Sequence, residues 1–353
     1  MKYPRMAAVA ALSSLALVTA CSGSEDEPTT DAATSTEATA GDDAAQTSDV
    51  AGATAEPDES EGVGALSTEQ AEEIAADLLT KAAQVNNGDG EDIEEAAAAA
   101  YRGNAEVSAL ASDQLEEVSG QPEQRDLIAN PVEPNVLAIS RDDGQSPLLM
   151  LVQTVPESGL PELFVMASPG EPEDFRIVWS APMLPGTDIG TFDRRSQGTP
   201  ILREGAGDLP QSPEKVLTGL ADYIGYPLGE VETYTTNGYA PQVRDAGDAQ
   251  ADAVAQQAEF TESNTLTNRT YTFIREDGSA VTFAALERES DFDVRSGMEL
   301  TPPDEFLVFD DDESITSQAT LNSYVYVAMT IPQDDGDPEM IAAREQLVSA
   351  DGS

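Results

Sequence analysis

The stretch "RTYTFIREDGSAVTFAALE", Arg269–Glu287, decides the fold. Tyr271, Phe273 and Arg275 alternate with Thr272 and Ile274, which is the period of two that a strand requires. Asp277-Gly278 supplies a turn, because glycine takes positive φ without a steric penalty. Val281, Phe283 and Ala285 then return along one face. The pattern predicts an antiparallel hairpin with one apolar face, and such a face has to be buried against another layer.

Downstream, "EFLVF" (305–309) and "NSYVYVAMTIP" (322–332) read as further strands. "EMIAAREQLVSA" (339–350) suits helix and strand about equally, and the turn "QDDGDP" before it favours strand. Upstream, a helix is expected from roughly Asp245 to Phe260. Before it, "SPEKVLTGLADYIGYPLG" opens with Ser212 as an N-cap and Pro213 at the first helical position. Residues 186–211 are rich in Gly and Pro and read as a connector.

The other half of the chain repeats the order. "NVLAIS", "PLLMLVQTV", "LPELFVMAS" and "DFRIVWSAPM", between 135 and 183, are short apolar runs separated by Gly, Pro and acidic turns. They predict four antiparallel strands. Trp179, the single tryptophan, is expected to fill the core there. Three helices should precede them. The first starts at Ser67, whose spacing to Gln70 makes a capping box. Ala71, Ile74, Ala75, Leu78, Leu79, Ala82 and Val85 share one face of it, and Asn86, Asn87 and Gly88 end it. Ile93, Ala97 and Tyr101 mark the second helix, and Val107, Leu110, Ala111, Leu115 and Val118 the packing face of the third. The expected fold class is therefore α+β, with two helix-then-antiparallel-sheet halves at 67–185 and 212–350. By analogy alone, each half could form a nuclear-transport-factor-like cone.

The N-terminal region carries different information. Lys2 and Arg5 precede an apolar run from Met6 to Leu17, which is the layout of a secretion signal and is too short to span a bilayer. The run ends in "LVTAC", with Cys21 the single cysteine of 353 residues. Residues 1–21 resemble the bacterial lipobox. That resemblance implies a signal peptide over 1–20 and a diacylglyceryl group on the Cys21 sulfur. It also implies an extracytoplasmic protein anchored to the membrane, since two acyl chains hold stably where one holds marginally. With Cys21 modified, no thiol remains for a disulfide, a nucleophile or a metal site. Residues 22–64 contain acids, Thr, Ser, Ala and Gly but no base and no aromatic. Such a composition cannot bury enough apolar surface to fold and reads as an acidic, disordered tether with an r.m.s. span of about 36 Å. Its Thr and Ser could carry O-linked sugars.

A wider likeness follows from the lipobox, "YRGNAEVSAL" (101–110), "DFRIVWSAPMLPGTDI" (174–189) and the closing "YVYVAMTIP" and "AAREQLVSA" segments. Together they are similar to a family of actinobacterial cell-surface lipoproteins with a domain of unknown function, over about 67–350. That likeness implies no activity and lends no site residues.

Composition excludes several functions. There are 67 acidic and 17 basic residues, for a net charge of −50. Nucleic acid is excluded as a partner, because its binding needs Lys and Arg to neutralise phosphates. The chain has no histidine, which removes imidazole acid–base chemistry, Ser-His-Asp triads and His-ligated metals. No phosphate-binding or dinucleotide-binding glycine motif occurs, and no cofactor is expected. "SPEK", Ser212 to Lys215, matches the S-x-x-K of penicillin-binding enzymes but lacks the companion motifs and equally serves as a helix start. Two acidic runs are calcium candidates through hard oxygen ligands: Asp310, Asp311, Asp312 and Glu313, and Asp334, Asp335, Asp337 and Glu339. Neither has EF-hand spacing, and solvated turns explain both as well. Tyr223, Tyr226, Tyr234 and Tyr239, with Pro227 and Pro241, suit either a sugar or peptide platform or helix–loop packing.

No catalytic site is expected. The leading reading is a lipid-anchored envelope protein with a non-enzymatic binding or scaffolding role towards an envelope protein or wall component. The alternatives are a small-ligand binder with a cleft in a curved sheet and a hydrolase using two carboxylates.

Overall fold

The computed structural model describes residues 63–86, 92–119, 134–155, 159–229 and 238–353. Six helices lie among them: α1 (Thr68–Asn86), α2 (Ile93–Ala100), α3 (Asn104–Ser119), α4 (Pro213–Tyr223), α5 (Tyr239–Val254) and α6 (Asp304–Leu307). The strands are β1 (Asn135–Ile139), β2 (Leu148–Thr154), β3 (Glu162–Ser168), β4 (Arg176–Pro182), β5 (Ile201–Leu202), β6 (Ala258–Ile274), β7 (Ala280–Val294), β8 (Gln318–Ile331) and β9 (Glu339–Gly352). They form two antiparallel sheets with neighbours in chain order, β1–β4 and β5–β9. The α+β class with helices ahead of each sheet is thus observed.

The deciding hairpin is β6–β7, with Ile274 opposite Ala280. Its turn closes through Arg275 N–H to the Ser279 carbonyl at 2.7 Å, and Gly278 adopts φ +80°. Tyr271, Phe273, Val281, Phe283 and Ala285 share the face that the alternation assigned to them, and that face meets the first sheet. Leu149 and Leu151 of β2, Leu163 and Val165 of β3, and Trp179 and Ala181 of β4 pack into the same core. The opposite face of the first sheet presents Met150, Val152, Phe164, Met166 and Ile177 to α1, α2 and α3. Sheet one is therefore apolar on both sides, which is why its strands read as unbroken apolar runs. The outer side of sheet two is covered by α4, which packs on β6 and β7, and by α5, which packs on β6. The layers run helices, sheet, sheet, helices, and the two halves of the chain share one core.

Trp179 sits at the centre, 1% exposed, as the sequence predicts. Its indole N–H donates to the Ala284 carbonyl at 2.9 Å, and its ring lies edge-on to Phe283 at 4.9 Å. The capping box is formed: Gln70 N–H donates to the Ser67 hydroxyl at 3.2 Å and Ser67 N–H to the Gln70 side chain at 3.1 Å. The predicted face of α1 is inside, with Ala71, Ala75, Leu78, Leu79, Ala82 and Val85 buried. The 339–350 segment is strand, paired along β8.

Several boundaries differ from the sequence reading. Residues 63–66, assigned to the tether and its junction, are stitched into the body. Asp142 N–H donates to the Val63 carbonyl at 2.7 Å and Ala65 N–H to that of Ser140 at 2.8 Å. Gly64 is required there, since a Cβ would lie 2.5 Å from the Arg195 carbonyl oxygen. The connector contributes β5, and its Thr199 bridges to Ser140 at the edge of sheet one. The helix expected at 245–260 is α5, which starts at Tyr239 and ends at Val254; Phe260 belongs to β6. Pro241 lies in the first turn, where its missing N–H has no intrahelical partner to lose. "EFLVF" is helical at α6 instead of extended. Pro303 precedes it as N-cap, and Asp304 and Glu305 in its first turn complement the helix dipole. Phe306 plugs a separate cluster with Leu300 and Ile315. On α3, Val107 and Val118 point outward, at 44% and 37% exposed. Ala105, Ser108, Ala109, Ala111 and Leu115 are buried instead, because the helix packs on β9 as well as on its own half.

Candidate functional site

The sequence-predicted positions do not converge on one centre. Cys21 and Tyr234 lie outside the described residues, as do the signal segment, residues 22–62 of the tether, Asn87 and Gly88. Ser212 is a cap: its hydroxyl accepts the Lys215 N–H at 3.3 Å, and the Lys215 side chain is exposed. Asp310, Asp311 and Asp312 follow α6, with carboxylate oxygens within 4.8 Å of one another. Asp310, however, is occupied structurally, accepting the N–H groups of Asp312 at 2.9 Å and Gly352 at 2.8 Å. Glu313 is exposed beside them.

The other acidic run forms the β8–β9 turn. Asp334 accepts the Gly336 N–H at 3.2 Å, and Asp335 and Asp337 are exposed. The fold brings Asp334, Asp337 and Glu339 together with Asp208, Arg275 and Asp277 around a concavity of about 700 Å³. The β6–β7 turn supplies Arg275 and Asp277, and Asp208 comes from the connector. No spacing in the chain announces this meeting. Two bonds from Ser279, at 2.9 Å and 2.5 Å, hold the Asp277 carboxyl below the usual carboxylate range, with help from Arg275. Burial lowers the pKa of Arg275, against the pull of Asp277, Asp188 and Glu339.

The tyrosines separate into packing roles. Tyr226 stacks at a tilt on Phe260, 5.4 Å between centroids, and Tyr223 lies 4.4 Å beneath the Arg244 guanidinium. Tyr239 is 8% exposed, too buried for an open stacking platform.

Two buried charged clusters were missing from the sequence reading. The first joins the sheets to α3. Arg344 of β9 lies 3.7 Å from Glu162 of β3 and 5.3 Å above the ring of Tyr326, whose hydroxyl pairs with Ser108 at 2.8 Å. Burial pushes the Glu162 carboxyl up, opposed by Arg344, and pushes the Tyr326 hydroxyl up to about 12, opposed by its bond to Ser108.

The second cluster lies on the outer face of sheet two, beside the start of α5. Arg288 of β7, 3% exposed, donates through Nη1 to Glu345 of β9 at 2.6 Å and through Nε to Asn264 of β6 at 3.0 Å. Glu262 of β6 is 3.6 Å from Arg288 Nε and accepts the Ser290 hydroxyl at 3.1 Å. Tyr239 Oη, Arg288 Nη2 and Asn264 Nδ2 are buried without a hydrogen-bond partner. Burial raises the Glu262 carboxyl, Arg288 counters it, and Glu345 adds to the rise. The Arg288 cation is held against its own burial by Glu345 and Glu262. Arg288 shares its strand parity with Thr282, Ala284 and Leu286, so alternation places it on the face opposite Val281, Phe283 and Ala285 and gives no sign of its burial.

Comparison of the chain with protein families, with characterised proteins and with solved structures finds no match. Among the described residues no helix is long and apolar enough to cross a membrane.

Proposed function

We propose that the protein is a lipid-anchored, extracytoplasmic envelope protein with a non-enzymatic binding or scaffolding role towards an envelope protein or wall component. The observation that carries this reading is the ending of the apolar run in "LVTAC" at Cys21. The chain then passes through an acidic Ser/Thr/Ala segment before it is stitched into the folded body at Val63 and Ala65. An acidic leash on an acylated cysteine keeps a strongly negative body clear of anionic lipid heads, which repel it. The likeness to actinobacterial surface lipoproteins points the same way.

Cys21→Ser is expected to move the protein from the membrane fraction into the culture medium. Crosslinking in intact cells, read by mass spectrometry, is then expected to lose the envelope partners captured by the wild type. Retention of the variant on the membrane contradicts the anchor, and an unchanged partner set contradicts the role given to it. The small-ligand alternative rests on the concavity around Arg275, because the facing surfaces of the two sheets are filled by side chains. A saturable, ligand-dependent rise in Tm favours that alternative.

A further inference from the structure

The charges of the second buried cluster do not balance. Glu262 and Glu345 face a single cation, Arg288, and the ion pair with Glu345 is the shorter by a full ångström, 2.6 Å against 3.6 Å. With both carboxylates ionised the site holds a net charge of about −1 where burial penalises an uncompensated ion. The carboxylate left short of a partner is Glu262, whose side chain is 8% exposed.

Among the described residues, the surroundings of Glu262 offer no second cation. β7 presents Arg288 and Ser290, β9 presents Glu345, and α5 presents Tyr239. The remaining acids of α5, Asp245, Asp248 and Asp252, are exposed. Its Arg244 turns instead to the carbonyls of Tyr223 and Gly229. α4 also packs on β6, but its Glu214, Lys215 and Asp222 are exposed. Tyr239, the first residue of α5, brings a phenol to the cluster from a backbone that has just passed through Gly238 at φ +91°. Burial, with the two carboxylates adding to it against Arg288, raises the pKa of that phenol, so it stays neutral.

We propose that this cluster is a proton-binding latch: one proton from solvent binds the Glu262 carboxylate, brings the buried site to neutrality and tightens α5 on sheet two. Protonated, Glu262 leaves Arg288 to its close pair with Glu345. Deprotonated, the surplus charge is relieved by admitting water beneath the first turn of α5. The sign follows from linkage. A carboxyl raised in the folded state holds its proton where the unfolded chain, with a value near 4.5, has lost it. The latch is therefore closed on the acid side, and it opens as pH rises through the folded-state value. The latch does not depend on the anchor at Cys21.

Hydrogen exchange on the full chain tests it, with α1 amides as the internal reference. In the wild type, protection of α5 relative to α1 is expected to fall as pH is raised from 4.5 to about 8, tenfold for each unit by which the Glu262 midpoint exceeds 4.5. Glu262→Gln is expected to keep α5 protected at both. A parallel response of α5 and α1, or an unchanged fall in Glu262→Gln, overturns the latch. Should that variant fail to fold, carboxyl-carbon NMR of the wild type decides. A Glu262 midpoint above 4.5 is expected, and one at or below it overturns the inference.

Discussion

Replacing Trp179 with alanine lowers the free energy of unfolding by about 3–5 kcal/mol, the range for removing a large buried aromatic. Three losses coincide at this position. The side chain is the largest of the fully buried ones, and it fills the space between the two sheets. Its edge-on contacts with Phe283 and with Tyr326, 6.5 Å away, cross from the first sheet to the second. The Ala284 carbonyl loses its indole donor. Because the core is shared, the whole body is expected to lose stability as one transition. Chemical denaturation followed by far-ultraviolet circular dichroism and by hydrogen exchange in both sheets checks this. If sheet two keeps its protection while sheet one unfolds, the sheets do not form one cooperative unit.

Replacing Arg288 with methionine costs a similar amount at neutral pH, about 3–5 kcal/mol, for a different reason. The arginine leaves behind the buried Glu262 carboxylate and the half-buried Glu345 carboxylate with no cation between them. An orphaned buried charge costs more than the pair was worth, so the effect exceeds that of losing two hydrogen bonds. The pH dependence separates this cause from a packing defect. Burial raises the Glu262 carboxyl, so stability returns as pH falls towards the unfolded value of 4.5. Adding Glu262→Gln and Glu345→Gln to the same variant is expected to restore most of the loss at pH 7. Urea titrations across pH measure both effects, and a loss independent of pH contradicts them.

The hairpin that opens the reading is legible because two independent signals agree, alternation over Tyr271–Ile274 and an Asp-Gly turn. The four strands of sheet one are legible for a coarser reason. Burial on both faces makes each a short apolar run that Gly, Pro and acids punctuate. What failed has equally physical causes. "EFLVF" is too short for periodicity to choose between helix and strand, and the preceding Pro302-Pro303 and following acids settle it as helix. The start of α5 was hidden by Pro241, which is tolerated in a first turn but resembles a breaker. Val107 and Val118 fit a helical stripe, yet the surface α3 packs against includes β9, more than 200 residues away in the chain, so the stripe is rotated. The polar half of β7 was equally opaque: Glu287 and Glu289 are exposed and Arg288 is buried between them. Strand parity places Arg288 on the face away from the shared core, and shows neither its burial there nor that Glu345, 57 residues later, is its partner. The concavity around Arg275 depends on two turns and the connector meeting, which no local pattern contains.

The anchor is the claim on which the functional reading stands, and the mass of the mature chain addresses it most directly. Protein extracted from membranes is expected to begin at Cys21 and to carry diacylglyceryl on that residue in intact-mass and N-terminal peptide spectra. A mature chain that begins at another residue, or a Cys21 found as a free thiol, contradicts the lipid-anchored assignment.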